Sequence, residues 1–440
     1  MGARVTAAAI IIVSGIVAWL AITLPLAARV LQISIAVSMA YVAWLAWRGG
    51  RVMRRAMAEA RSGAGEPTGL ARDLPFVSLV IPARNEAAVI ARSVGSVRAL
   101  EYAGADGRPA FDVVVVDDGS VDGTGDVARR VGGGGDVRVV RREHGEPRTK
   151  GAVLAFAMPY VRGEVVGVLD ADTLVVRAFL ERALVGWRRV ASAGALQVSR
   201  RPRNTDSWLT AAQGEEQLMD MASQCGRWAA DGTAELRGNG MFVRRDALEA
   251  VGGWSDRALT EDLELSTRLS SAGHHITLAP EAFVDEEAVE GIRPLWRQRL
   301  RWAEGSLRRL LEHGPTLLTG RQPIGRKLDF LAFAAEFLVP PLFVAAVVAS
   351  LLTIPMPRPA DWTVPVSLFL GYGLGTFLLA VAGLAATGER GLPLVGRAAR
   401  GALFLSHWLV VVPAALLRIA FGPVSTTFVQ TPRSTSAGDR

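Results

Sequence analysis

The stretch "GVLDADTLV", Gly167 to Val175, ends a run of valines in Asp170-Ala171-Asp172. Carboxylates a few ångströms apart repel one another unless a cation sits beside them. Their hard oxygens suit Mg2+ or Mn2+, which use one or two carboxylates and complete their shell with substrate phosphates. Side chains two apart along an extended strand point the same way. Asp170 and Asp172 therefore converge if extension persists through Ala171, whereas a turn at Ala171 would aim only one of them. A turn carrying two solvated aspartates is the plainer reading of so short a motif. Two more acidic pairs stand out: Asp117-Asp118 after Val113 to Val116, and Glu261-Asp262 opening "TEDLELSTRL". Farther on, "RQRLRW" holds Gln298, Arg301 and Trp302. At i, i+3 and i+4 they share one face of a helix. Amide and guanidinium suit phosphate or hydroxyl groups, and an indole suits a sugar ring. The surrounding "RPLWRQRLRWAEGSLRR" also fits a basic amphipathic helix on anionic lipid, and the two readings are compatible.

These side chains need a frame. "FVSLVIP" (Phe76 to Pro82), "DVVVVDDGS" (Asp112 to Ser120), "VRVV" after Gly132 to Gly135, and Val165 to Leu169 read as strands. Helical periodicity covers Glu86 to Leu100, Asp122 to Val131 and Thr149 to Tyr160. Valine runs alternating with helices imply an α/β fold whose mainly parallel sheet is covered on both faces. Ligands of such sheets bind beyond the carboxyl ends of the strands. Asp117-Asp118 and Asp170 to Asp172 fall there, on one edge.

The chain has 440 residues and a formal charge of +7, and half of its residues are hydrophobic. The apolar excess lies at the two ends. Val5 to Ala27 and Leu31 to Trp47 carry no charge, and Leu328 to Ile354, Val364 to Thr387 and Ala402 to Phe421 follow later. A helix rising ~1.5 Å per residue crosses a ~30 Å hydrocarbon core in ~20 residues. The first stretch is too long for a cleaved signal and a second follows at once. The expected organisation is two transmembrane helices in 1–60, a linker at 61–74, an α/β domain with interfacial helices at 75–325, and about three transmembrane helices with a polar tail at 326–440. Arg48, Arg51, Arg54 and Arg55 crowd the end of the second segment, which marks the cytoplasmic side. The α/β domain is thus expected in the cytoplasm of a protein integral to the cell (inner) membrane. Arg390, Arg397 and Arg400 would also be cytoplasmic, and the loop near Pro355 to Trp362 external. Three crossings at the end would leave the tail outside; a re-entrant segment, such as the one with Pro340-Pro341, would bring it inside. The single Cys225 excludes an intramolecular disulfide and reads as a helix-packing residue, and the five histidines lack metal-ligand spacing.

"VSLVIPARNEAAVI", "VVVVDDGSVDGT", "KGAVLAFAM", "VLDADTLV", "LRGNGMFVRRDAL", "TEDLELSTRL" and "QRLRW" occur in the order seen in family-two glycosyltransferases. From about Pro75 to His313 the chain resembles their membrane-embedded branch, with its Asp, Asp-x-Asp, Thr-Glu-Asp, Gln-x-x-Arg-Trp signature. The resemblance implies a GT-A (nucleotide-diphospho-sugar transferase) domain flanked by transmembrane helices. It implies that Asp118 binds the nucleoside, with Pro82, Arg84, Asn85 and Glu86 lining that pocket, and that Lys150 reaches the nucleotide. Lys150 is one of only two lysines in an arginine-dominated chain. It further implies that Asp170 and Asp172 hold a divalent metal (Mg2+ or Mn2+) and the diphosphate, and that Asp262 is the catalytic base. Gln298 and Arg301 would hold pyrophosphate, while Glu261 and Trp302 would frame the acceptor. "RTKG" stands where Asn-Lys-Gly is frequent, so Thr149 is expected to meet the donor differently.

The expected reaction transfers a hexosyl group from a nucleotide-diphosphate sugar to an acceptor hydroxyl. One base without an evident covalent nucleophile suggests direct displacement with inversion. "ELRGNGMFVRR" and "LWRQRLRWAEGS" are similar to runs in bacterial β-monoglucosyldiacylglycerol synthases, which implies a lipid acceptor such as diacylglycerol. Poly-N-acetylglucosamine synthases have similar runs, which keeps open a growing polysaccharide as acceptor. Asp206 to Ala230 is an apolar, helix-prone stretch that reads either as an acceptor-side helix or as core packing. A nucleotide-sugar receptor without turnover does not explain the full set of base, metal ligands and Gln-x-x-Arg-Trp helix. A transporter does not explain the large α/β domain. The lipid bilayer is an expected partner, and nucleic acid is not.

Overall fold

The computed structural model describes residues 2–62, 75–104, 106–133, 135–143, 149–188, 190, 192–319, 323–356 and 362–422. The expected linker beyond Ser62, most of the loop before Trp362 and the polar tail lie outside these residues. The chain forms two compact units. One is helical and contains Met1–Val52, Leu218–Gly232 and the described residues from Gly291 to Gly422; the other contains Met53–Gln217 and Thr233–Glu290. Helices α1 (Gly2–Thr23) and α2 (Pro25–Ser62) open the chain.

The second unit is built on a seven-stranded sheet of order β3-β2-β1-β4-β6-β5-β7. Its strands are β1 (Val77–Ala83), β2 (Phe111–Asp118), β3 (Val137–Arg142), β4 (Val165–Val168), β5 (Ala193–Pro202), β6 (Met241–Arg244) and β7 (His275–Glu286). Strands β3, β2, β1 and β4 run parallel, as do β5 and β7, and β6 is antiparallel to both its neighbours. Helices α3 (Ile90–Arg98), α4 (Thr124–Gly132), α5 (Lys150–Ala157), α6 (Phe179–Arg188), α8 (Arg245–Ala250) and α9 (Glu261–Ser271) belong to this unit. Every residue of β2 is buried, and β1 is buried but for Pro82, as a sheet covered on both faces requires. Alternate residues Leu79, Ile81, Val113 and Val115 share one core with Ile90, Val94 and Val97 of α3. Each such aliphatic side chain contributes roughly 1.5–3 kcal/mol by leaving water.

The four strands expected from the valine runs are present within one or two residues. The helix expected from Glu86 begins only at Ile90, because Glu86 to Val89 form a turn tied to the next loop. Helix α5 ends at Ala157 and a 3-10 turn carries Met158 to Tyr160. Pro159, lacking an N–H, cannot continue the α-helical ladder.

Helix α7 (Trp208–Ala229) starts in the α/β unit and ends in the helical one. The helical unit continues with α10 (Ile292–Thr319), α11 (Ile324–Glu336), α12 (Val339–Thr353), α13 (Thr363–Thr387), α14 (Gly391–Leu405) and α15 (Trp408–Phe421). Among the described residues, five helical segments are long and apolar enough to cross a membrane: Gly2–Thr23, Pro25–Ser62, Ile324–Thr353, Thr363–Thr387 and Gly391–Phe421. The third is broken after Glu336 and the fifth at Ser406-His407. Glycines let the helix backbones touch. A Cβ added at Gly49 would lie 1.9 Å from Ala222 O, and one at Gly226 would lie 2.4 Å from Leu45 O. Helix α13 runs parallel to α2, with Gly371 against Ile35 and Ala382 against Gly50. Ala18, Ala21 and Ala28 share a core with Ala346, Val364 and Leu368 at the other end. Tyr372 donates to Leu405 O (3.2 Å), and Arg4 donates to Gly422 O (2.8 Å), which sets the end of α15 beside the start of α1. Arg227 and Asp329 form a buried, two-pronged ion pair (3.0–3.2 Å) that Tyr41 also joins. Cys225 is buried, its sulfur 3.8 Å from that of Met221.

Candidate active site

The strand register sets Ala83 opposite Asp117 and Val80 opposite Val168, so β1, β2 and β4 finish at one edge. The loops beyond β1 and β2 are stitched together there. Asn85 N–H donates to Ser120 Oγ (3.0 Å), Val121 N–H to Asn85 Oδ1 (3.0 Å) and Glu86 N–H to Thr124 Oγ1 (2.8 Å). Asn85 takes a left-handed φ of 52°, which asparagine tolerates better than most side chains. Pro82, near the end of β1, leads into this loop. Asp118 is held by Arg142, its register partner on β3, at 2.6 Å, and Arg84 lies 4.0 Å from its other oxygen. Asp117 serves the turn instead. It accepts from Ser120 N–H (2.9 Å) and Arg141 (3.2 Å), and a Cβ at Gly125 would lie 2.5 Å from its Oδ2.

A second cluster gathers acids from two places in the fold, the turn after β4 and the start of α9, around Lys150. Thr149 caps α5 by accepting from Ala152 N–H (3.1 Å) and donates to Asp256 O (2.7 Å). Lys150 therefore leaves the first turn of α5 in a fixed place. Its ammonium donates to Asp170 Oδ1 (2.6 Å) and Gly238 O (3.0 Å) and lies 3.7 Å from Glu261 Oε1. Glu261 and Asp262 open α9, and Asp262 Oδ1 accepts from Leu263 N–H (2.8 Å). A Cβ at Gly238 would stand 3.2 Å from Asp262 Oδ2 and 3.6 Å from Lys150 Nζ, so both side chains border that glycine.

Burial dominates the electrostatics. It pushes the Glu261 carboxyl up to about 7, with Lys150 opposing and Asp262 adding to the rise. Burial likewise lifts Asp262 above the usual aspartate range, against the Leu263 N–H, Lys150, Arg237 and Arg200. For Lys150, burial disfavours the charge, but Asp170 and Glu261 outweigh it and keep the ammonium protonated. A carboxylate with raised proton affinity beside an open strand edge is suited to accept a proton.

Extension does not persist through Ala171. Thr173 N–H donates to Asp170 O (3.0 Å), so Asp170, Ala171 and Asp172 lie in a turn. The Asp170 side chain is 38 % exposed; Asp172 is buried and accepts from Glu287 N–H (3.2 Å). Among the described residues no group of three His, Cys, Asp or Glu side chains is arranged to hold a metal alone. Two carboxylates, one of them open to solvent, fit the way Mg2+ or Mn2+ binds with substrate phosphates supplying the other oxygens. Behind the turn, Asp170 N–H and the Thr173 hydroxyl both donate to Asn239 Oδ1 (3.1 and 3.0 Å), and Asn239 Nδ2 donates to Glu286 (2.8 Å). Burial raises the Glu286 carboxyl, with Arg200 opposing.

Gln298, Arg301 and Trp302 lie together on α10, in the helical unit, and are half-buried. Between them Arg299 is buried, its guanidinium 4.3 Å from the Trp302 ring and 5.8 Å from both Phe404 and Trp408. Sequence reading gave no role to Arg142, Gly238, Asn239, Glu286 or Arg299. "RGNG" does carry a turn signal, an asparagine between two glycines, but not the identity of what the turn meets.

A sequence profile described as "Glycosyltransferase like family 2" matches residues 75–305. The chain belongs to glycosyltransferase-like family 2. Its α/β unit has the GT-A fold of that family. This glycosyltransferase is 34% identical over 386 residues to a β-monoglucosyldiacylglycerol synthase of Synechocystis sp., covering 84% of this chain and 78% of that one. It is 32% identical over 372 residues to the Nostoc sp. protein of the same name, covering 81% and 76%. With a poly-β-1,6-N-acetyl-D-glucosamine synthase of Staphylococcus epidermidis it shares 28% over 249 residues, covering 55% and 58%. The solved mannosyltransferase PcManGT from Pyrobaculum calidifontis, in complex with GDP-Man and Mn2+, superposes with a TM-score of 0.57 at 21% identity, over 89% of this chain and 98% of that one.

Proposed function

We propose that this membrane glycosyltransferase moves a hexosyl group, from UDP-glucose, to diacylglycerol or a related lipid with inversion, at the cytoplasmic face of the cell membrane. The observation that carries the reaction is the convergence of Lys150, Asp170, Glu261 and Asp262 at one sheet edge. The lipid acceptor is supported by similarity extending over 84% of the chain, more than the α/β domain alone, to a β-monoglucosyldiacylglycerol synthase. Similarity to the polysaccharide synthase covers 55%.

In this reading the nucleoside sits against Asp118, which Arg142 holds in place, within the loop of Arg84, Asn85 and Glu86. Asp170 and Asp172 would hold a divalent cation, which when bound supplies positive charge for the leaving diphosphate. Gln298 and Arg301 add polar contacts to the diphosphate, and Glu261 and Trp302 border the acceptor. Asp262 takes the proton of the acceptor hydroxyl. The new bond forms from that oxygen to the anomeric carbon as the bond to the diphosphate breaks. Lys150 offsets the negative charge gathered around Asp170, Glu261 and Asp262.

The test incubates membranes containing the protein with radiolabelled UDP-glucose and UDP-N-acetylglucosamine and separates the products. Label from UDP-glucose in a single glycolipid is the expected result. High-molecular-weight label refutes the lipid acceptor in favour of a polysaccharide. No transfer from either donor refutes the donor assignment. An Asp172→Ala variant should lose metal-dependent donor binding, and unchanged donor affinity with metal would refute the ligand role.

A further inference from the structure

Asn239 is buried between two glycines of left-handed backbone, Gly238 (φ 76°) and Gly240 (φ 69°). Neither flanking residue has room for a side chain on the site's terms: a Cβ at Gly238 meets Asp262 at 3.2 Å and one at Gly240 meets Val198 at 2.4 Å. The turn is clamped from behind by Gln197. Its amide donates to Asn239 O (2.8 Å), and its oxygen accepts from Arg237 N–H (2.7 Å). From this fixed position the Asn239 side chain reaches the turn of Asp170 and Asp172 by two bonds and Glu286 by a third. Glu286 is in turn bound by Gln217 (2.6 Å). Only an amide satisfies all three: its oxygen takes two donors and its nitrogen gives to a carboxylate. An aspartate there would lack the donor and face Glu286 with like charge.

We propose that Asn239 is a positioning residue that sets the geometry of the Asp170-Ala171-Asp172 turn, and thereby how tightly the two aspartates take a divalent cation. This rests on the reading of that turn as the cation site. Asn239 is buried behind the turn and acts through the backbone of Asp170 and the hydroxyl of Thr173.

The test titrates Mn2+ into the full-length protein with UDP present, reading free Mn2+ by electron paramagnetic resonance. Asn239→Ala is expected to raise the half-saturating Mn2+ at least tenfold. Thr173→Val, which removes one of the two donors to Asn239 Oδ1, should raise it about threefold, and Thr173→Ser should restore it. The Thr173 pair carries the test if Asn239→Ala fails to fold. Wild-type protein that binds Mn2+ tightly, with Asn239→Ala or Thr173→Val unchanged within twofold, overturns the role of Asn239 alone. Wild-type protein without UDP-linked Mn2+ binding overturns the cation site itself and this assignment with it.

Discussion

Lys150→Met removes the one ammonium in contact with both Asp170 and Glu261 while keeping most of the side-chain volume. Its cost depends on pH, and the sign follows from the acids left behind. Glu261 sits near 7 in the folded protein against an ordinary 4.5. Folding therefore favours its protonated form, and stability falls as pH rises from about 4.5 to about 7. A rise of that size is worth roughly 3 kcal/mol across the window. Lysine limits this penalty in the native protein, because it lowers the proton affinity of Glu261 and Asp262. At pH 5 Glu261 is neutral in the folded state, and the variant loses mainly its hydrogen bonds, a cost of about 1–2 kcal/mol. At pH 8 the buried Glu261 carboxylate loses its partner, and breaking such a pair costs about 3–5 kcal/mol. Thermal unfolding of the detergent-solubilised protein at pH 5 and pH 8, for wild type and Lys150→Met, measures the difference. The variant should lose more stability at pH 8 than at pH 5, relative to wild type. An equal loss at both pH values, or a smaller loss at pH 8, would refute the picture of Lys150 as the charge that makes this acidic cluster tolerable.

Three shorter predictions concern catalysis. Asp262→Asn should lower transfer by ~10²–10⁴-fold, the usual contribution of a positioned base, while donor binding by calorimetry is retained; near-normal turnover would remove Asp262 from that role. In wild type, kcat should rise with pH along an acid limb lying above the ordinary aspartate range, because burial raises Asp262 and only its ionised form takes a proton; a limb at or below that range, seen in a pH–rate profile, would contradict it. Arg142→Gln should raise the donor KM about tenfold with kcat little changed, since it loosens Asp118 through a single charge-assisted bond of about 1.5 kcal/mol. A change confined to kcat would show that Arg142 acts elsewhere.

In the half of the sheet nearest the site, β1, β2 and β4 were legible from sequence because they are buried almost throughout and so read as apolar runs, while the half-exposed edge strand β3 was marked by the glycines before it. The other half was not, for physical reasons that differ by strand. Strand β7 carries Pro280 inside "HITLAPEAFVDE", which reads as a break. The fold accommodates it where the β5–β7 register shifts, between Val198 and Ser199. Strand β6 has four residues, too few for a periodic signal, and β5 ends in Ser199-Arg200-Arg201, polar because Arg200 and Arg201 pair with Glu286 and Asp285 of β7. Side chains of the site that end a valine run, Asp118 and Asp170, announce themselves by contrast with what precedes them. Asn239 and Glu286 do not, because they meet the Asp170 turn across 69 and more residues of chain and only the sheet order brings them there. Whether Asp170 and Asp172 lie on a strand or a turn was also beyond the sequence; the bond from Thr173 N–H to Asp170 O decides it.

The hydrogen bond from Arg4 to Gly422 joins residues 418 apart in the chain. Ala7 of α1 shares a core with Val411, Val412, Ala415 and Leu416 of α15, and Ala18 and Ala21 share another with Ala346 and Val364. The first helix to be synthesised thus finds its packing partners among the last, and the helical unit closes only when translation of the chain is nearly finished.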